Sequence, residues 1–235
     1  MADKKKLEAA LEKKALYGED IDLSKYDDND EARTKSTEDL TAGGKSKLAK
    51  VGIELDGEGR SATFIQVDNT PVQVEVDKET PLELMNTGDA AKKHPELVEK
   101  YWWKAVAPDT DKYTAKTATE REQGYFIRVR AGHKISAPLQ ACIFIGHEDQ
   151  LQRVHNVVII EEGAELNIIS GCASDPSVEN GVHIGISEFF VEKGAKLSFT
   201  MIHNWSENVA VRPRTVAIVG EDAQYTSNYV CLERV

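Results

Sequence analysis

The chain has 235 residues, 40% apolar and 29% charged, the composition of an ordinary globular protein. Its 29 basic against 40 acidic residues give a net charge of −11, which argues against a nucleic-acid partner, because phosphate binding needs clustered Lys and Arg. No run approaches the roughly 18 apolar residues of a membrane helix, and Met1-Ala2-Asp3-Lys4-Lys5-Lys6 lacks the shape of a signal peptide. No membrane association and a cytoplasmic location are therefore expected.

Residues 4–17 are expected to form an amphipathic helix on Leu7, Ala10, Leu11 and Ala15, stopped by Gly18. Residues 19–50 are polar and acidic and read as linker. Within them, Gly43-Gly44-Lys45-Ser46 resembles the end of a phosphate loop. Asp39 stands where its first glycine belongs, and no apolar strand precedes it, so no nucleotide site is expected. Residues 51–76 alternate as strands, with turns at Asp56-Gly57-Glu58-Gly59 and Asp68-Asn69-Thr70-Pro71. Thr80-Pro81-Leu82-Glu83 has the form of a capping box and predicts a short helix ending near Gly88. Pro95 opens a second helix, Glu96 to Val106, expected to lie as a cap across the start of the repeats. Residues 107–120 read as loop.

From Gly124 the chain repeats itself. Gly132, Gly163 and Gly194 are turn positions 31 residues apart, and Asp222 follows 28 later. Each is flanked by short runs rich in β-branched and aromatic residues, such as Val157-Val158-Ile159-Ile160 and Leu166-Asn167-Ile168-Ile169. One copy cannot bury such a face; a second laid on it in parallel can. The expected fold is mainly β, a parallel β-helix (solenoid) behind an N-terminal helical and mixed segment. A β-sandwich is the rival. Three segments are expected: residues 1–50, a helix and polar linker; residues 51–120, mixed strand and helix; residues 121–235, an incomplete β-helix core.

Three cysteines, Cys142, Cys172 and Cys231, are too few for a disulfide framework and form no Cys-x-x-Cys pair. Cys172 follows Gly171 at a strand end and opens a Ser/Asp/Pro loop. It reads either as a reachable nucleophile or as a small buried hydrophobe. Cys142 lies in an apolar run and reads as core. Five histidines (His133, His147, His155, His183 and His203) fall in the repeats without forming His-x-His. Gly181-Val182-His183-Ile184-Gly185 resembles half of a cupin metal motif, with Gly185 in place of the second ligand. A cupin-like metal-dependent enzyme is therefore the alternative. Trp205 beside His203 could shape a pocket or close the core, and Arg212 and Arg214 read as surface cations paired with local carboxylates.

Several segments resemble the SufB/SufD family of iron–sulfur cluster assembly scaffolds. They are Gly124-Tyr125-Phe126-Ile127, Pro138-Leu139-Gln140, Gly171-Cys172-Ala173, Asn204-Trp205 and Val211-Arg212-Pro213-Arg214-Thr215, with His94-Pro95-Glu96-Leu97-Val98-Glu99-Lys100-Tyr101 ahead of them. The resemblance covers about residues 80–235 and is nearest to short archaeal-type members, C-terminally truncated. It implies a right-handed β-helix and a scaffold rather than an enzyme, carrying a transient iron–sulfur cluster that the truncated chain need not hold. It implies a sulfur donor and a SufC-type ATPase as partners, and a homodimer or SufB/SufD-type heterodimer in the full-length protein. Weak or no ATPase binding is expected of this chain, because the family's docking helices and cluster ligands lie beyond Val235. Cys172 matches the cysteine implicated in accepting sulfur, and His203, Trp205 and Arg214 match the proposed sulfur route. His203 replaces the family's glutamine, and Phe144-Ile145-Gly146 replaces an Arg-x-Asn segment, two departures that leave room for a different route in this chain. Because the period brings their strands near that of Cys172, Arg214 or a protonated His203 is expected to stabilise the Cys172 thiolate.

Overall fold

The computed structural model describes residues 4–15, 18–29, 32–120 and 123–232. Helices α1 (Lys4–Leu11) and α2 (Ala42–Lys50) precede strands β1 (Ala62–Val67), β2 (Thr70–Val76) and β3 (Leu82–Asn86). Helices α3 (Thr87–Lys93), α4 (Pro95–Tyr101) and α5 (Lys112–Thr119) come next. The chain then runs through β4 (Tyr125–Val129), β5 (Leu139–Ile145), β6 (Gln150–Ile160), β7 (Glu165–Ser174), β8 (Asn180–Val191), β9 (Lys196–Asn204), β10 (Asn208–Val219) and β11 (Gln224–Cys231).

From β4 onward, consecutive strands alternate between two sheets, ordered β11-β9-β7-β5-β1-β2 and β10-β8-β6-β4-β3. β6, β8 and β10 pair in parallel, as do β5, β7, β9 and β11. The fold is mainly β, a solenoid of about 3 turns with helices near the N-terminus. Parallel pairing excludes the antiparallel sandwich and the antiparallel cupin barrel alike. The 31-residue period stacks the turns one coil apart. The amide of Gly132 donates to the carbonyl of Glu162 at 2.8 Å, that of Gly163 to Lys193 at 2.9 Å and that of Gly194 to Glu221 at 2.8 Å. Gly132, Gly163 and Gly194 have φ of 76°, 67° and 64°, and Asp222 takes the same left-handed conformation at 55°.

Alternate residues of each strand point inward and form one apolar core containing Ile127, Val158, Phe189 and Phe199. The outward residues of β5, β6 and β8 are also covered, as expected where parallel sheets are buried on both faces. Phe126, Val157, Ile159 and Phe190 pack under Leu97, Tyr101 and Trp102. On the other sheet, Cys142, Phe144 and Ala173 pack under Leu40, Leu48, Val51 and Ile53.

The N-terminal third differs from its local reading in several places. The polar stretch before residue 50 contains α2, whose N-cap Thr41 accepts from the Gly44 amide at 2.9 Å. The helix signal at Thr80-Pro81 gives way to β3, because Leu84 pairs with Ile127 of β4 and joins the lumen core. α4 ends at Tyr101 and lies on an outer face rather than over the solenoid's end. The buried Glu188 carboxylate accepts from the amides of Trp103, Ala105 and Val106 at 2.7, 2.6 and 3.0 Å, and draws them out of helical geometry. It also meets His155 Nε2 at 2.7 Å. Residues 107–120 contain α5, capped by Asp111. α1 stops at Leu11; of the expected remainder, residues 16–17 lie outside the described residues.

Candidate functional site: a thiol in the solenoid lumen

β7 points Leu166, Ile168, Ser170 and Cys172 inward, by simple alternation. Across the sheet, Cys172 is the register partner of Ile143 on β5 and of His203 on β9, and His203 is in turn the partner of Cys231 on β11. The same alternation on the facing sheet brings in His183, Gly185 and Ser187 from β8, and Val211, Pro213 and Thr215 from β10. These enclose a cavity of about 20 Å³ whose lining also includes Tyr125, Asn156, Ser170, Cys172, Met201 and His203. Met201, His203, Val211, Pro213 and Thr215 also line an open pocket of about 350 Å³ with Tyr225 and Tyr229. The cavity and this open pocket lie on two sides of the same five side chains.

Trp205 closes one side. Its ring lies 5.0 Å from that of His183 and 5.9 Å from that of His203. His183 Nδ1 meets Gln152 Oε1 at 2.8 Å, and His203 Nδ1 meets the Tyr229 hydroxyl at 2.9 Å. A Cβ on Gly185 would stand 2.7 Å from His183 Nε2, so glycine at 185 leaves room for that ring. Three of the residues singled out from the sequence, Cys172, His203 and Trp205, are therefore brought together. Arg214 is not. It alternates with the inward Pro213 and Thr215, points out of the lumen and pairs with the buried carboxylate of Asp111 at the start of α5.

The electrostatics differ from the local expectation. Cys172 is 3% exposed rather than at an accessible loop edge, and burial pushes its thiol up to about 12, eased slightly by Ser170. Burial carries His203 down to about 4, and burial together with His203 carries His183 down to about 3. Both rings are neutral near pH 7, so no cation faces the sulfur. Tyr125 and Ser170 were missed by local reading, and His183, read there as half of a metal motif, lines the cavity instead; the period contained the signal, since Tyr125, Asn156 and Ser187 are 31 residues apart, as are Cys172 and His203. Cys142 packs in an outer layer, and Cys231 is exposed at the solenoid's end. No cluster of three or more His, Cys, Asp or Glu suited to a metal occurs among the described residues.

A family model described as the SufBD core domain of the SUF iron–sulfur cluster assembly system matches residues 143–234. The chain is 46% identical over 233 residues to an iron–sulfur cluster assembly SufBD family protein of Methanothermobacter thermautotrophicus, an alignment covering 96% of this chain and 56% of the relative. The chain belongs to the SufBD family. A SufBD family protein of Archaeoglobus fulgidus is 47% identical over 191 residues, 81% of this chain and 51% of the relative. The protein named SufB in Bacillus subtilis is 32% identical over 133 residues, 56% of this chain and 29% of that protein. The chain thus spans about half the length of the curated archaeal relatives it matches. The relatives' printed names describe iron–sulfur cluster assembly proteins.

Proposed function

We propose that the chain is a scaffold component of a SUF-type assembly complex, non-catalytic in itself, and that Cys172 accepts sulfur inside the solenoid. The observation that carries this reading is the meeting of Cys172 and His203 at one lumen cavity, with Trp205 against His203 and an open pocket on the far side of Met201 and His203. A donor persulfide R–S–SH enters from that pocket. The Cys172 sulfur attacks the outer sulfur, the donor's S–S bond breaks, and the Cys172 proton passes to the departing sulfur, so the donor leaves as R–SH and Cys172 becomes Cys172–S–SH. The raised thiol pKa keeps Cys172 inert until a donor is present. Arg214, held by Asp111, anchors α5 to the route's wall instead of touching the sulfur. In the cytoplasm a SufC-type ATPase partner and a second SufB/SufD-type subunit complete the complex. The iron–sulfur cluster is its cargo.

The test is to load the protein from a cysteine desulfurase with labelled cysteine and to map persulfide by mass spectrometry. Label should sit on Cys172, and Cys172→Ser should lose it while unfolding at nearly the parent's temperature. Equal uptake by Cys172→Ser would sink the reading.

A further inference from the structure

The Tyr125 hydroxyl is one of several buried polar atoms without a hydrogen-bond partner among the described residues, and it stands beside the thiol. Its residue is 0% exposed. It lines the cavity beside Cys172, yet its oxygen has no hydrogen-bond partner of proper geometry. Leaving a buried hydroxyl unpaired is costly, and phenylalanine would fill the same space without that cost. Ser170 is in reach of both Tyr125 and Cys172. An orphaned donor lining a cavity implies a polar guest. The cavity, about 20 Å³, has room for one water-sized guest and no more.

We infer that Tyr125 is a positioning residue: its hydroxyl, with Ser170 beside it, donates a hydrogen bond to the terminal sulfur of a persulfide on Cys172, in a cavity sized for that single sulfur atom. This rests on Cys172 being the sulfur acceptor. A persulfide places its outer sulfur one S–S bond beyond Sγ and ionises more readily than the thiol beneath it. A neutral donor inside an apolar wall stabilises that anion without itself needing charge. It also discriminates by size. A second sulfur, or an assembled cluster, has no space at this depth, so the lumen holds sulfur one atom at a time.

The experiment uses the whole chain and a small chemical donor, glutathione persulfide, which bypasses any protein partner. Intact mass should show the gain of one sulfur, located on Cys172. In Tyr125→Phe the unmodified protein should melt at the parent's temperature or above it, since no hydrogen bond is lost. Its Cys172 persulfide should decay at least about tenfold faster, the worth of one hydrogen bond to a charged group. The pH midpoint of persulfide alkylation by iodoacetamide should also move upward, a change that packing alone does not produce. Ser170→Ala should show the same two changes to a smaller degree, and it covers the case in which Tyr125→Phe does not fold. Persulfide lifetimes and midpoints equal to the parent's in both variants would overturn the role of Tyr125. Stable loading of two or more sulfurs on Cys172 would overturn the size limit. A parent chain that loads no sulfur on Cys172 would overturn the acceptor reading itself, and this inference with it.

Discussion

Cys172 and His203 are 31 residues apart in the chain and neighbours across β7 and β9. That placement decides the character of both. Taken out of water with no charged partner, the thiol stays protonated and the imidazole stays neutral. His183, facing Gln152, Trp205 and His203, shares the environment. The groups facing these rings are a thiol, phenols, amides and an indole. No carboxylate lines the cavity among the described residues to hold an imidazolium. This has a consequence for acid stability. A histidine depressed in the folded state, against an unfolded value near 6.5, leaves the unfolded chain binding more protons in the interval between. Stability is therefore full above about pH 6.5 and falls as pH drops towards about 4 for His203 and about 3 for His183. Urea denaturation should lose on the order of 3 kcal/mol between about pH 7 and about pH 5, before most carboxylates titrate. His203→Gln should remove roughly half of that slope. An unchanged slope in the variant would mean that His203 is solvated in the folded protein.

At the scale of elements, the strand that carries the thiol is held from outside. Gly171 precedes Cys172 and faces the opposite way, against the segment following α2. A Cβ there would stand 2.6 Å from Val51 Cγ2 and 2.9 Å from Ile53 Cγ1. Glycine at 171 thus permits the outer layer of Leu48, Val51 and Ile53 to lie directly on β7. Gly171→Ala should cost about 1–3 kcal/mol by overpacking, measured as a lowered denaturant midpoint. It should also speed alkylation of Cys172 in the folded state, as the outer layer lifts. A midpoint and alkylation rate equal to the parent's would show that the layer is not seated on this strand. On the other sheet, Asp111 and Arg214, the latter matched to the sulfur route by the family resemblance, tie α5 to β10. The reason is one of parity: residues 213 and 215 face the lumen and residue 214 faces away.

Over the whole molecule, burial is graded along the solenoid axis. All 11 residues of β6 are buried, and β8 is buried on both faces for all but its first residue. β11 is mostly exposed, including Tyr229, Val230 and Leu232 nearby. Backbone opening should follow that gradient. Native-state hydrogen exchange should show β6 and β8 opening only with global unfolding, and β11 at far lower free energy. Uniform protection from β4 to β11 would contradict it.

The repeat was legible because stacking imposes it. Each coil must reproduce the length and turn of the one below for its hydrogen bonds to register, so Gly132, Gly163 and Gly194 keep one spacing. By itself the sequence determined the solenoid, its turns and the family motifs around Cys172 and Trp205. It misjudged the segments whose conformation is set by distant partners. β3 is a strand because β4 pairs with it, α4 is short because Glu188 takes its following amides, and α2 folds where the apolar back of β5 and β7 offers a surface. Only the tertiary structure decided that Cys172 is buried, that Arg214 faces outward and that Tyr125 stands unpartnered beside the sulfur. Exposure and pKa depend on what lies across the lumen, which is a property of the packed coils and not of any one of them.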